Sequence, residues 1–387
     1  MNARSVGSLR VGIVAGESSG DILGASLLHS LRKYAPEMIV EGIGGPLMIA
    51  EGCQSFFPMD RLSVMGLVEP LKRLPELLRI RRTLKQHFLQ NPPDIFIGID
   101  SPDFTLNIEK SLKQHNIKTI HYVSPSVWAW RQGRIHNIRK SVHRMLTLFP
   151  FEQAIYQQHN IPVTFVGHPL ADQISLDDDA GVCKKVLHLP DNKTYIALLP
   201  GSRENEVTLL APVFFAAAQQ VLREKPQLHF LIPAANAARK KQLLALLVPA
   251  NIPYTLFDGQ SHAVMGASEL VVMASGTTTL EAMLLKKPMV VCYKMAPLSY
   301  RIISRLLKTP YIALPNLLAQ KMLVPELIQQ EATAENISSH VLALLSDKNK
   351  MQSLKNEFTT IHESLRCDAG DRAARAVLDV IGAGASR

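Results

Sequence analysis

Four short stretches of this chain hand an apolar run over to small, hydroxylated or charged residues: "AGESSGD" at 15–21, "GIDSPDF" at 98–104, "LPGSRENE" at 199–206 and "ASGTTTLE" at 274–281. Each reads as a strand end meeting a helix start, the place where parallel sheets collect ligands. In the last stretch, Ser275, Gly276, Thr277 and Thr278 can bring backbone and hydroxyl donors close to a phosphate with no bulky side chain between. Glu281 follows one turn later, within reach of a ribose on that phosphate. The same residues also suit a plain helix cap with an early acid, worth about 0.3–1 kcal/mol. "LPGSRENE" adds a second glycine-hydroxyl turn at Ser202, with Arg203 beside it. A guanidinium there can neutralise a diphosphate leaving group in a fixed, bidentate geometry. Two such turns in one half of the chain point to one nucleoside diphosphate.

In "GIDSPDF", Pro102 stops the strand just after Asp100, so this carboxylate should project from the sheet end and can act as a general base toward an acceptor hydroxyl. Asp103 directly precedes "FTLNIEK" and suits the role of helix cap. His121 and His168 end strand-like runs too. Both stand as rival bases, or as hydrogen-bonded structural histidines. There is no GxGxxG followed by a ribose-binding acid and no GxxxxGK[ST], which argues against dinucleotide chemistry and against a P-loop.

These residues need elements to carry them. "LRVGIVAG", "PDIFIGID" and "KTIHYVS" read as buried strands, each followed by a helical pattern, and the alternation resumes with "TYIALLPGS", "LHFLIPAA", "YTLFDG", "ELVVMAS" and "PMVVCY". Strand and helix in alternation predict an α/β fold of parallel sheets. The pattern lapses over 169–192, which reads as a linker. Two Rossmann-like domains, 1–168 and 193–345, are therefore expected to face each other across a cleft. Residues 346–387 read as helices, expected to pack back on the N-terminal domain or on a second subunit. With 387 residues and 47% hydrophobic content, each domain can bury a core of its own.

The four cysteines are far apart and form no metal-binding spacing, so a reducing compartment is expected. No secretory signal and no apolar window of about 18 residues is visible, so a cytoplasmic protein is expected. The Asp177–Asp179 run lies in the linker and reads as a solvated loop, and no metal site is predicted. The balance of 42 Lys and Arg against 33 Asp and Glu, a net +9, favours an anionic partner. Two stretches concentrate that charge. "SVWAWRQGRIHNIRKSVHR" sets Arg131, Arg134, Arg139, Lys140 and Arg144 beside Trp128 and Trp130, with no acid. "VMGLVEPLKRLPELLRIRRTLKQHF" spaces Val64, Leu67, Leu71, Leu74 and Leu78 helically among six cations. The second suits an interfacial element with its apolar face in lipid, or an ordinary core-facing helix with a basic outer face, and Pro75 should shorten it.

The ordered set "GESSGD", "VMGLVE", "GIDSPDF", "HYVSPSVWAWR", "FPFE", "GHPL", "LPGSRENEV", "ASGTTTLE" and "LPNLLA" strongly resembles the lipid-A-disaccharide synthases of Gram-negative bacteria, from about Val11 to Glu326. The resemblance implies a GT-B fold and an inverting glycosyl transfer without metal or cofactor. It implies UDP-2,3-diacylglucosamine as donor and 2,3-diacylglucosamine 1-phosphate as acceptor, giving the β(1→6)-linked disaccharide phosphate and UDP. On that reading Asp100 is the base, Arg203 and the 275–278 turn hold the UDP diphosphate, Glu281 meets the ribose, and Asn316 of "LPNLLA" lies nearby. Both substrates carry acyl chains, so Met65, Leu67, Val68 and Leu71 become the expected membrane and acyl contact. The protein would then be peripheral on the cytoplasmic face of the inner membrane, with no nucleic-acid partner and with a homodimer left open. A UDP-GlcNAc epimerase, a glycosyltransferase with a soluble acceptor, and a non-catalytic lipid-binding protein are the alternatives.

Overall fold

The computed structural model describes residues 8–62, 69–177, 179–296, 300–301, 304, 306 and 309–382, apart from the side chains of 69–72. Two compact units divide the chain. Residues 1–172 together with 365–387 form one, and 173–364 form the other.

In the first unit, β1 (Arg10–Ala15), β2 (Ile39–Ile43), β3 (Cys53–Ser55), β4 (Ile95–Ile99), β5 (Lys118–Tyr122), β6 (Arg144–Thr147) and β7 (Val163–Phe165) form a sheet in the order 3-2-1-4-5-6-7. All its pairings are parallel. Parallel strands need crossover helices, which cover both faces and make the strands continuously apolar. β4, "IFIGI", is buried at every position. The order reverses between β1 and β4, where Ala15 pairs with Ile99. Chain leaving those two ends diverges to either side and opens a crevice. "AGESSGD" and "GIDSPDF" are those two ends.

One face of this sheet packs on the helix Ser18–Tyr34, whose Leu23, Leu27, Leu28 and Leu31 enter the core beside Ile13 and Ile97. A helix from the far end of the chain, Ala369–Ile381, lies alongside Ser18–Tyr34 over β5 and shares that core through Ala373, Ala374 and Val377. Small residues allow the close approach: a Cβ added to Gly370 would meet Ser26 Oγ at 2.6 Å and Ser30 Oγ at 2.7 Å. The other face carries the helix Glu69–Gln90, with Ile80, Leu84 and Phe88 packed toward Phe96. That helix corrects one expectation. It spans 22 residues and continues past Pro75. Proline costs about 3 kcal/mol inside a helix by removing one hydrogen bond and crowding the preceding turn. Here it sits near the start, and the buried residues further along hold the helix.

In the second unit, β8 (Thr194–Leu199), β9 (Leu228–Ala234), β10 (Tyr254–Asp258), β11 (Leu270–Ala274), β12 (Met289–Tyr293) and β13 (Glu326–Ile328) form a parallel sheet in the order 10-9-8-11-12-13. Its reversal lies between β8 and β11, where Leu199 pairs with Met273. The two chain ends there are "LPGSRENE" and "ASGTTTLE". All four chemically loaded junctions thus flank the two topological switch points.

Candidate functional site

A cavity of about 570 Å³ opens at the switch point of the second unit. Its walls bring Ser202 and Arg203 together with Ser275, Gly276, Thr277 and Thr278, as the sequence suggested. The space over Gly276 is open, since a Cβ there would meet nothing within 4 Å. A ligand can approach that backbone closely. Gly201 is needed for another reason: its φ is +118°, and a Cβ would come 2.6 Å from the Glu206 carboxylate.

Glu206 was not singled out by sequence. Its Oε2 accepts from the N–H groups of Ser202 at 3.2 Å and Arg203 at 3.3 Å, and its Oε1 meets Arg203 Nη1 at 2.9 Å. An acid three residues into a helix commonly caps it in this way. The backbone N–H groups of Ser202 and Arg203 are therefore already engaged, and the turn offers an anion the Ser202 hydroxyl and the remaining N–H groups of the exposed Arg203 guanidinium. The far wall, Pro233, Ala234, Ala235, Gly259 and Ser261, comes from the ends of β9 and β10 and was equally unmarked. Only its position after strand ends could have signalled it.

Glu281 lies in the helix Thr278–Leu284, one turn behind the cavity rim, and burial raises its pKa above the ordinary carboxylate value. Asn316 is not part of the cavity lining, although its helix, Leu314–Ala319, packs against Thr278–Leu284. The residue is fully buried, its Oδ1 accepts from the N–H groups of Leu323 (2.8 Å) and Val324 (2.9 Å), and its Nδ2 donates to Val324 O (2.9 Å) and Glu326 Oε1 (2.7 Å). Those four bonds use its hydrogen-bonding capacity, so the side chain braces the loop before β13 and does not line the cavity.

In the first unit, Asp100 stands half-buried at the end of β4 with φ at 53°, and Ser101 follows with φ at 45°. Left-handed backbone at a residue other than glycine costs roughly 1–2 kcal/mol, least for Asp and Asn. Val123, at the end of neighbouring β5, has φ at 84°, a sparsely populated conformation for a β-branched residue. Such strain concentrates at functional sites. Beside Ser101 lies a second cavity of about 360 Å³, walled by Leu62, Leu74, Leu77, Leu78 and Phe104 with Glu17 and Arg81 at its polar edge. Glu17 comes from the "AGESSGD" junction after β1.

The two rival histidines are held otherwise. His121 is fully buried with Nδ1 2.8 Å from Glu109 Oε1, and burial raises the pKa of Glu109 against the lowering effect of that imidazole. His168 Nδ1 accepts the Leu170 N–H at 3.2 Å, its ring stacks on Phe149, and burial lowers its pKa to about 4. Asp103 is drawn to Arg134, whose Nη2 lies 2.5 Å and 2.7 Å from its two oxygens. Trp128 donates to Glu152, and the Arg131 guanidinium rests 4.5 Å above the Trp130 ring. Met65, Leu67, Val68 and the Leu71 side chain lie outside the described residues. Among the described residues, no group of three or more His, Cys, Asp or Glu is placed to hold a metal ion, and no helix is long and apolar enough to cross a membrane.

A family model described as lipid-A-disaccharide synthetase matches residues 11–378. The lipid-A-disaccharide synthase of Cellvibrio japonicus (strain Ueda107) is 54% identical over 376 residues, covering 97% of this chain and 98% of that protein. That of Pseudomonas syringae pv. tomato is 52% identical over 374 residues, covering 97% and 98%. Two solved structures share the fold at much lower sequence identity. The calicheamicin glycosyltransferase CalG4 superposes with a TM-score of 0.62 at 12% identity, covering 98% of this chain and 100% of that one. The UDP-GlcNAc 2-epimerase of Neisseria meningitidis, bound to UDP-GlcNAc, gives 0.61 at 14% identity, covering 96% and 99%. The two parallel-sheet units are thus of the GT-B kind, an architecture that transferases and epimerases share.

Proposed function

This chain belongs to the lipid-A-disaccharide synthase family and is a hexosyltransferase of lipid A biosynthesis, and from that premise we propose how its two switch points divide the reaction. The second unit holds the donor, UDP-2,3-diacylglucosamine. The Arg203 guanidinium and the Ser275–Thr278 turn bind its diphosphate, and Glu281 accepts from the ribose hydroxyls. The first unit supplies Asp100 as general base toward the 6-hydroxyl of 2,3-diacylglucosamine 1-phosphate. As the acceptor oxygen bonds to the anomeric carbon, the bond from that carbon to the diphosphate oxygen breaks, the hydroxyl proton passes to the Asp100 carboxylate, and UDP leaves with its charge against Arg203. Attack opposite the leaving group inverts the anomeric centre and gives the β(1→6) linkage. Positioning and electrostatic stabilisation of the leaving group carry most of the rate effect.

The observation that carries this reading is the 570 Å³ cavity that joins both glycine-hydroxyl turns at one switch point. The 360 Å³ apolar cavity beside Ser101 supports an acyl chain lying next to the base. Exposing acyl chains to water costs about 0.8 kcal/mol per CH₂. The site therefore works at a lipid surface, with the protein peripheral on the cytoplasmic face of the inner membrane.

The test is disaccharide formation from the two diacylated substrates, with and without EDTA. Asp100→Asn keeps a residue that tolerates left-handed backbone, so its loss reports the base: turnover should fall about 10²–10⁴-fold. Near-parental turnover would remove Asp100 from that role. Calorimetry of UDP with Arg203→Ala and with Glu281→Ala should show weaker binding in both. Unchanged affinity in both would displace the donor site from this cavity.

A further inference from the structure

The turn that presents Asp100 is held by a side chain to which no sequence pattern drew attention. Thr105, fully buried in the first turns of the helix Pro102–Gln114, places Oγ1 3.0 Å from Asp100 O and 3.1 Å from Ser101 O. A threonine hydroxyl bonded to the carbonyl four residues earlier is common in helices and means little alone. The second acceptor is different, because Asp100 O lies outside the helix and belongs to the residue that carries the carboxylate. Asp100 and Ser101 are successive left-handed residues without a glycine. Backbone in that state persists only where its surroundings over-determine it. The surroundings here are few and identifiable. Asp100 N–H donates to Tyr122 O on β5 at 2.9 Å, Ser101 O accepts from the N–H groups of Phe104 and Thr105, and Ser101 Oγ is packed against Gly16, where a Cβ would meet it at 2.2 Å. Thr105 is the side chain that grips both carbonyls of the pair. Its own position is fixed from behind by Gly98, where a Cβ would come 2.8 Å from Thr105 Cβ.

We infer that Thr105 is a positioning residue for the transfer: by holding the carbonyls of Asp100 and Ser101 it sets the direction of the Asp100 carboxylate, without touching substrate. This rests on Asp100 being the base. Misplacing a reacting group by about 1 Å can cost on the order of 100-fold in rate.

The experiment compares Thr105→Val, Thr105→Ala, Thr105→Ser, Asp100→Asn and the double variant Thr105→Val/Asp100→Asn in the full chain, measuring kcat, KM for both substrates, UDP affinity and thermal unfolding. Thr105→Val and Thr105→Ala should lose about 10- to 100-fold in kcat with KM and UDP affinity unchanged. Thr105→Ser, which keeps the hydroxyl, should stay close to the parent. In the double variant the valine should remove nothing more than Asp100→Asn already has, because the two act through one group. Parental kcat in Thr105→Val beside an inactive Asp100→Asn overturns the proposal and leaves the base assignment standing. Near-parental turnover in Asp100→Asn removes the base assignment instead. A loss in Thr105→Ser as large as in Thr105→Val, a multiplicative loss in the double variant, or absence of a cooperative unfolding transition in both truncations makes Thr105 a packing residue and also overturns the proposal.

Discussion

Two histidines in the first unit are committed to the neutral state by what they accept. Thr119 N–H donates to His143 Nδ1 at 3.0 Å, and Leu170 N–H donates to His168 Nδ1 at 3.2 Å. An imidazolium cannot accept either bond. Burial lowers both pKa values to about 4, aided at His143 by the charges of Lys113 and Lys118. The unfolded imidazole takes its proton near 6.5 and the folded one near 4, so between those values the unfolded chain binds more protons. The stability each neutral ring supplies is complete above about pH 6.5 and drains away as pH falls through about 4. Glu152 works in the opposite sense. Burial raises it from 4.5 to about 7, so its contribution is present below 4.5 and lost as pH rises through about 7. Urea midpoints of the parent and of His168→Gln, taken across this range, separate the two effects. The variant should be flatter on the acid side, and parallel curves would show that His168 does not titrate differently on folding. None of this was legible in "GHPL", where the histidine is only a strand end. The acceptor bond depends on a turn whose geometry no residue type announces.

At the scale of elements, the strands that carry the site were the easiest to read. "IFIGI" and "LVVMA" are continuous apolar runs because both of their faces are covered, and each ends abruptly in Gly, Ser or Asp. The strands Ile39–Ile43, Cys53–Ser55, Arg144–Thr147, Val163–Phe165 and Glu326–Ile328 carry no comparable signal, the first because Glu41 and Gly42 interrupt its apolar run. Three or four residues toward a sheet edge carry too little pattern to stand out from a loop. Strand order was also out of reach, since the switch points follow from pairings such as Ala15 with Ile99 that lie far apart in sequence. The signal of Pro75 misled because it states a local cost, whereas Ile80, Leu84 and Phe88 decide whether the helix forms. Asn316 has a bracing role that its residue type does not announce. A polar residue in a family motif looks like a ligand contact, and here the motif maintains the shape of a loop behind the site.

For the whole molecule, the long basic helix and the apolar cavity beside Ser101 bear on where the enzyme works. Leu74 and Leu78 wall that cavity yet remain 46% and 44% exposed, and the exposed Arg79 and Arg82 lie on the same helix. Changing both leucines to serine should release the protein from anionic vesicles and leave UDP affinity as it was. Raised salt should weaken the parent's vesicle binding only in part, because apolar insertion is not screened. Co-sedimentation of the double variant at the parent's level would show that these leucines serve packing alone. The placement of the helix Ala369–Ile381 bears on how the molecule is made. Residues 173–364 are one uninterrupted stretch and can close into their own unit as soon as they are synthesised. The first unit cannot, because the helix that covers Ser18–Tyr34 is encoded after all of them. The domain begun first on the ribosome is therefore finished last. Until then the flank of Ser18–Tyr34 stays open to solvent, a waiting surface for chaperones to shield and for proteases to find.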